Sequence, residues 1–210
     1  MKNKLVIPAI LTLFLAFSLQ SCSDEQDPLT TSDYYGLKSD MRHLWSDHVV
    51  WTRVVIIGMV DNTPGTTEAV NRLLQNQQDI GDAVKPYYGD ANGEALADLL
   101  TDHITIAADL ITAAVDDNTP AFNTAHAAWY ANADEIATTL HTLNPDHWPL
   151  QMMKDMMNEH LDLTLVEVQA RIDQNYTTDV ATFDQIYTQA MEMADMLAEG
   201  IAKQHPGQFN

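Results

Sequence analysis

Apolar residues recur every three or four positions along this chain from residue 34 onward. This spacing is typical of amphipathic helices, which place one residue of each turn on the buried face. Turn sequences divide the pattern into six segments, which pair into helical hairpins at about 34–86, 90–145 and 147–205. No segment shows the strict alternation of a half-buried strand. The sequence therefore predicts an all-α bundle of six helices in a single domain, 34–205.

The three hairpins share short strings, which indicates an internal repeat of about 56 residues. The first two break at D-N-T-P-G (61–65) and D-D-N-T-P (116–120), and their returning helices carry N-Q-Q-D-I at Asn76 and N-A-D-E-I at Asn132. In the third hairpin E-M-A-D-M at Glu192 takes the place of the asparagine string. Three copies of this length predict a compact pseudo-threefold bundle rather than an open superhelix.

An acid-histidine pair lies on the first helix of each hairpin. The pairs are Asp47-His48, Asp102-His103 and Glu159-His160, and the histidines are 55 and 57 residues apart. Each histidine shares its helical stripe with apolar residues one turn away, so its side chain is expected to point inward. If the repeats fold together, the three imidazoles meet near the axis of the bundle.

The returning helices are predicted to bring oxygen donors to the same centre. Asn76, Asn132 and Glu192 precede core residues by four positions, and an acid follows each of them after three. Buried carboxylates need a neutralising partner. Together with imidazoles they suit a divalent metal ion, with zinc, iron or manganese ahead of copper. The predicted ligands are His48, His103, His160, Asp79, Glu135, Asp195 and Glu192.

Other polar residues are predicted to orient these ligands. Adjacent residues on a helix lie about 100° apart, so Asp47, Asp102 and Glu159 are expected to contact the histidine of a neighbouring hairpin rather than their own. Asn76 and Asn132 join them in this supporting role. Two basic residues on first helices, Arg53 and Arg171, are expected to neutralise buried acids. These two residues stand out because the chain has only ten lysines and arginines.

Two interpretations of the polar centre remain open at this stage. In the first, the chain binds a metal ion or another small ligand there, in metal handling or redox chemistry. In the second, it is a non-enzymatic interaction or structural protein, and its acid-histidine pairs only specify the fold. No nucleophilic triad, phosphate-binding loop or G-x-S-x-G motif occurs in the sequence, and no catalytic residue is predicted.

The N-terminus resembles a bacterial lipoprotein signal. Lys2 and Lys4 precede the apolar run 5–19, and Cys22, the chain's one cysteine, follows. We expect a signal peptide at 1–21, then a lipidated Cys22 and an acidic tether over 22–33. Gln20 departs from the small or aliphatic residue usual at that position, which leaves ordinary type I cleavage as the alternative. The expected location is the bacterial envelope, at its periplasmic face or at the cell surface.

Composition limits the partners. Thirty acidic and ten basic residues give a net charge of -20. This charge argues against nucleic acid and against anionic membrane surfaces, so membrane contact is expected through the lipid alone. A single cysteine also rules out an intramolecular disulfide, so stability must come from packing or from a bound ligand.

The strings L-W-S-D-H-V-V-W-T-R, K-P-Y-Y-G, A-N-A-D-E-I-A and M-E-M-A-D resemble a family of prokaryotic all-helical proteins. The resemblance covers most of the chain, from Leu44 to His205. It implies a helical fold and brings no activity and no catalytic residues with it.

Overall fold

The computed structural model describes residues 27–210, which form six α-helices and two short 3-10 helices. The α-helices are α1 (Ser32–Asp61), α2 (Thr66–Tyr88), α3 (Asp90–Val115), α4 (Thr119–Leu143), α5 (Leu150–Ile172) and α6 (Tyr176–Gln204). No strand occurs within this range. The predicted all-α bundle is therefore confirmed, whereas the triplication of the sequence stays a prediction.

The helices form a closed ring around a common core. Each helix packs against the next along the chain, and α6 packs back against α1. Short connections make neighbouring helices antiparallel, so the odd-numbered helices all run in one direction. Helix α1 also touches α3 and α5. The odd-numbered helices therefore carry their inward faces to the middle of the bundle.

The three odd-numbered helices end in the same way. A residue with positive φ follows the last turn of each, namely Asn62 (52°), Asp117 (52°) and Gln174 (56°). The next residue then donates its backbone N–H to the carbonyl five residues earlier, at Gly58, Ala113 and Ala170. This geometry satisfies carbonyls that a helix end would leave without partners. The three helices therefore share one C-terminal geometry, while the connection that follows is longer in the first pair, where α2 begins only at Thr66.

Helices α2 and α3 approach closely at two glycines. A Cβ added to Gly81 would lie 2.5 Å from the carbonyl oxygen of Gly93, and one added to Gly93 would lie 2.6 Å from that of Gly81. Because only glycine leaves room for two backbones at this separation, these residues set the distance between the two helices.

The ordered domain extends beyond its predicted limits. Pro28–Thr30 forms a 3-10 helix, and Leu29 packs against the main core. At the other end Phe209 is buried, after a second 3-10 helix at Pro206–Gln208. Helix α2 also continues past Pro86 to Tyr88, because a proline in the last turn removes only one hydrogen bond.

Two expectations about the membrane fall on different parts of the chain. Cys22 and the signal sequence 1–21 lie outside the described residues. Among the helices of 27–210, none has the length and apolar character needed to cross a membrane.

Candidate functional site

The three predicted histidines lie together in the middle of the bundle. His48 on α1, His103 on α3 and His160 on α5 are all buried and line one internal cavity. The ring centres of His48 and His160 are 5.8 Å apart. The inward orientation that was predicted from the apolar stripe is therefore confirmed for all three histidines.

The cavity is small and mostly apolar. Its volume is about 30 Å³, and besides the histidines its side chains with polar atoms are Thr52, Thr164 and Trp129, whose indole N–H donates to the carbonyl of His103. Both threonines donate their hydroxyl hydrogens to the backbone of the same helix, at the carbonyls of His48 and His160. A cavity of this size holds an ion or one or two waters. It is too small for an organic ligand.

Each histidine contacts a side-chain amide on the following helix. His48 Nδ1 lies 3.3 Å from Gln77 Nε2, and His103 Nδ1 lies 2.8 Å from Asn132 Oδ1. His160 Nδ1 lies 3.2 Å from Gln189 Oε1. The sequence separation is 29 residues in all three pairs. A side-chain amide therefore contacts Nδ1 in each pair of helices, through its nitrogen in the first pair and through its oxygen in the other two.

The amides are themselves held by the backbone of the helix that carries the histidine. Asn132 donates to the carbonyl of Leu99, and Gln189 donates to that of Met156, each at 3.0 Å. In the first pair Asn76 donates to Leu44, also at 3.0 Å, and its neighbour Gln77 contacts the histidine. Each accepting carbonyl lies four residues before a histidine. In the second and third pairs, one amide both contacts the histidine and bonds the backbone carbonyl. In the first pair, the adjacent residues Asn76 and Gln77 divide these two contacts.

Burial keeps the three imidazoles neutral. It lowers the pKa of His48 to about 3, with a further contribution from His160 and His103 nearby. It lowers the pKa of His103 to about 4, and it lowers that of His160 as well. At pH 7 the centre therefore carries no charge. Within residues 27–210 no group forms a hydrogen bond with the Nε2 atom of any of the three rings.

The four predicted carboxylate ligands do not reach the cavity. Glu135 and Glu192 are exposed, while Asp79 and Asp195 are half-buried. Asp195 forms an ion pair with Arg42 at 2.6 Å, on the outside of the bundle. Asp79, Glu135 and Glu192 each come three positions after a buried amide residue, and such a residue lies about 60° away around the helix. This rotation carries the side chain past the edge of the buried stripe.

The acids next to the histidines also point away from the centre. Asp102 and Glu159 are exposed, and Asp47 is half-buried and pairs with Arg72 on the neighbouring helix. The predicted acid-histidine contacts are therefore absent from the described part of the chain. Side-chain amides contact the histidines instead, and an amide can form a hydrogen bond with a neutral imidazole without burying a charge.

Two of these amides, Gln77 and Gln189, were not predicted from the sequence. In the third hairpin the prediction placed the equivalent of the asparagines at Glu192, three residues beyond Gln189. The constant separation of 29 residues from each histidine would have identified both glutamines. Asn132 does contact its histidine, as predicted for a supporting residue.

A second buried polar cluster lies toward the C-terminal end of α5. Arg53 donates to Glu167 and, at 2.8 Å, to Asp179, and both acids are buried. Arg171 contacts Asp179 on one side and Asp61 on the other. The predicted neutralising role of the two arginines is therefore confirmed.

Two further findings concern the grouping of metal-binding side chains and the similarity of this chain to known proteins. Within residues 27–210 no three histidine, cysteine, aspartate or glutamate side chains are already grouped closely enough to hold a metal ion. Comparison with protein families, with curated proteins and with solved structures found no match for this chain.

Proposed function

We propose that this chain is an envelope-anchored helical lipoprotein that binds one transition-metal ion in the cavity between His48, His103 and His160. The observation that carries the proposal is the convergence of three neutral imidazoles on a cavity of about 30 Å³. Metal ions bind the neutral form of histidine. His103 and His160 are each oriented through Nδ1 by an amide oxygen, which is the usual support of a histidine ligand.

The donor atoms favour zinc or copper over manganese. Iron and manganese were considered because carboxylates were expected at the centre, and those carboxylates lie elsewhere. A site that offers only imidazole nitrogens suits zinc or copper, whereas manganese prefers oxygen donors. The small volume also favours an ion over an organic ligand.

Binding requires the rings to move inward. Zinc lies about 2.0 to 2.1 Å from a histidine nitrogen, and the ring centres of His48 and His160 are 5.8 Å apart. The histidine side chains would have to rotate within the cavity to bring their Nε2 atoms to one ion. The bonds from Nδ1 to the amides limit this rotation, so the affinity depends on the amides as well as on the histidines.

Metal analysis of untagged protein, followed by calorimetric titration with zinc and with copper(I), tests the proposal. We expect one equivalent of metal per chain and a higher melting temperature. The His160→Gln variant should lose the binding, while His43→Ala, an exposed histidine on α1, should retain it. Wild-type protein that contains no stoichiometric metal and shows no melting shift with either ion contradicts the proposal.

Lipid attachment at Cys22 is part of the same proposal and rests on the N-terminal sequence alone. A Cys22→Ser variant should move from the membrane fraction to the soluble fraction of the envelope. If it remains with the membrane as the wild type does, the anchor lies elsewhere.

A second candidate is a non-enzymatic interaction or structural lipoprotein in which the centre only specifies the fold. It is favoured by the hydrogen bonds that already occupy every Nδ1 atom and anchor every amide. In this case a buried water fills the cavity and bonds the Nε2 atoms. The second candidate predicts that the wild type takes up no metal and that His160→Gln lowers the free energy of unfolding. The first candidate predicts one equivalent of metal in the wild type, so metal analysis distinguishes the two.

A further inference from the structure

The buried charge cluster toward the C-terminal end of α5 contains more carboxylates than guanidinium groups. Its three acids are Asp61, Glu167 and Asp179, and its two bases are Arg53 and Arg171. Three negative and two positive charges would leave a net charge of -1 if every group were ionised. Glu167 and Asp179 are 2% and 1% exposed, so water cannot compensate for this excess. A buried carboxylate without full pairing is costly, and binding a proton removes that cost.

The contacts of the two buried acids identify which of them binds that proton. Asp179 accepts from Arg53 at 2.8 Å and from Arg171 at 3.3 Å, and it lies in the first turn of α6, where the helix dipole favours an anion. Glu167 accepts from Arg53 alone, through Oε1. The same Arg53 nitrogen donates to both acids, so the two accepting oxygens lie at most about 6 Å apart, twice the length of a hydrogen bond. Glu167 therefore has fewer cationic partners than Asp179 and lies close to its negative charge.

Within residues 27–210 two charged groups act on Glu167, namely Arg53 from α1 and Asp179 from α6, and none acts on it from α4. Asp61 joins the cluster only through Arg171. Burial raises the pKa of Glu167 to about 7, and the charge of Asp179 adds to this effect, while Arg53 opposes it. The direction of this pKa agrees with the count of charges and with the contacts, which single out the same acid.

We propose that Glu167 carries a proton on Oε2 up to neutral pH, and that the cluster is a pH-sensitive lock between α1, α5 and α6. In the protonated state two arginines face two carboxylates, those of Asp61 and Asp179, and the cluster is neutral. Above neutral pH the proton passes to solvent, and two carboxylates then compete for one nitrogen of Arg53. Repulsion between Glu167 and Asp179 weakens the contact of α5 with α6. The histidine cavity takes no part in this lock, so the inference is independent of the metal proposal.

Two variants distinguish a protonated Glu167 from an ionised one. Glutamine is uncharged and keeps an oxygen that can accept from Arg53, so Glu167→Gln should fold and should reproduce the protonated state. Relative to this variant, the equilibrium constant for unfolding of the wild type should rise by more than about tenfold from pH 5 to pH 7, because only the folded wild type loses this proton in that range and above. Asp179→Asn removes the charge that both arginines need, and it should raise the unfolding constant by more than about 100-fold, or prevent folding. A ratio between wild type and Glu167→Gln that stays constant from pH 5 to pH 7, or equal losses in the two variants, overturns the inference.

Carbon NMR of the chain, labelled with ¹³C at the glutamate carboxyl groups, reads the same proton in the folded protein. We expect one signal to titrate with a midpoint above pH 6. It should be absent from Glu167→Gln and present in the matched control Glu159→Gln, which changes an exposed acid on the same helix. A Glu167 signal that completes its titration below pH 5 overturns the inference. Neither readout involves a metal ion, so a chain that takes up no metal contradicts the proposed function and leaves this test unaffected.

Discussion

At the scale of single residues, the histidine centre depends on amides that each serve two partners. Asn132 accepts from His103 through its oxygen and donates to the Leu99 carbonyl through its nitrogen. Both partners are on α3, whereas the asparagine is on α4. One side chain thus fixes the tautomer of the histidine and ties two helices together. Loss of such a group leaves buried polar atoms without partners, which costs more than the bonds themselves contribute.

Replacement of Asn132 by alanine should therefore destabilise the fold clearly. We expect the free energy of unfolding to fall by about 2 to 4 kcal/mol, because two buried groups lose their partner. Urea denaturation followed by circular dichroism measures this change. Asn123→Ala is the matched control, since Asn123 lies on the same helix and is exposed. Equal and small effects of the two substitutions would show that the amide is dispensable.

The sequence predicted part of this centre, and the missing part has a physical reason. A histidine on an apolar stripe has few alternatives to burial, so His48, His103 and His160 could be placed from periodicity alone. The carboxylates could not be placed in this way, because a rotation of 60° decides between core and surface. The choice between amide and acid as the histidine's partner follows from the cost of burying a charge. That cost would have excluded Glu192 in advance.

At the scale of secondary-structure elements, a cluster of charges holds α1, α5 and α6 together. Arg53 on α1 contacts Glu167 on α5 and Asp179 on α6, and its guanidinium also lies 4.7 Å from the centre of the Phe183 ring. Burial raises the pKa of Glu167 to about 7, against the opposing effect of Arg53. Removal of the arginine leaves two buried acids with one fewer positive partner, a situation that is strongly destabilising.

Arg53→Met should therefore weaken the junction of these helices. We expect a loss of about 3 to 5 kcal/mol in the free energy of unfolding, the range for breaking a buried ion pair from one side. Arg42→Met is the control, because Arg42 lies on the same helix, is exposed, and pairs with Asp195. Exposed pairs contribute little, so this control should unfold close to wild type. If the two variants behave alike, Arg53 does not stabilise the cluster.

Helix positions were easier to predict than their ends. Turn residues at 61–65 and 116–120 mark real breaks, since Asn62 and Asp117 take the left-handed conformation there. The first hairpin was predicted to end at about residue 86, but α2 continues to Tyr88 because a proline in the last turn of a helix removes only one hydrogen bond. The 3-10 helices at Pro28–Thr30 and Pro206–Gln208 have no periodicity of their own. They are held by contacts of Leu29 and Phe209 with a core that only the folded chain creates.

At the scale of the whole molecule, closure of the ring is what brings distant histidines together. Periodicity identifies the buried face of each helix but says nothing about which helices meet. The packing of α6 on α1 supplies that information. It joins segments nearly the full length of the domain apart in sequence. The resulting core buries three titratable groups that every unfolded chain exposes, and this difference makes stability depend on pH.

The three histidines should make the fold less stable in acid. Their pKa values in the folded protein lie below the usual 6.5, at about 3 for His48 and about 4 for His103. Below pH 6.5 the unfolded chain therefore binds protons that the folded chain does not. As the pH falls below 6.5, each such histidine lowers the free energy of unfolding by about 1.4 kcal/mol per pH unit, until the pH reaches the pKa of that histidine in the folded protein. Glu167 acts in the opposite direction, because its raised pKa stabilises the fold below pH 7.

A variant isolates the histidine contribution from that of the carboxylates. We expect the free energy of unfolding, measured by urea denaturation at pH 7, 6 and 5, to fall less steeply for His103→Gln than for the wild type. The difference in slope should approach about 1.4 kcal/mol per pH unit, the effect of one proton, because glutamine does not titrate while Glu167 remains in both chains. His43→Ala, which removes an exposed histidine, should keep the wild-type slope. Parallel curves for wild type and His103→Gln would mean that His103 gains its proton as readily in the folded chain as in the unfolded one, which is incompatible with a buried neutral ring.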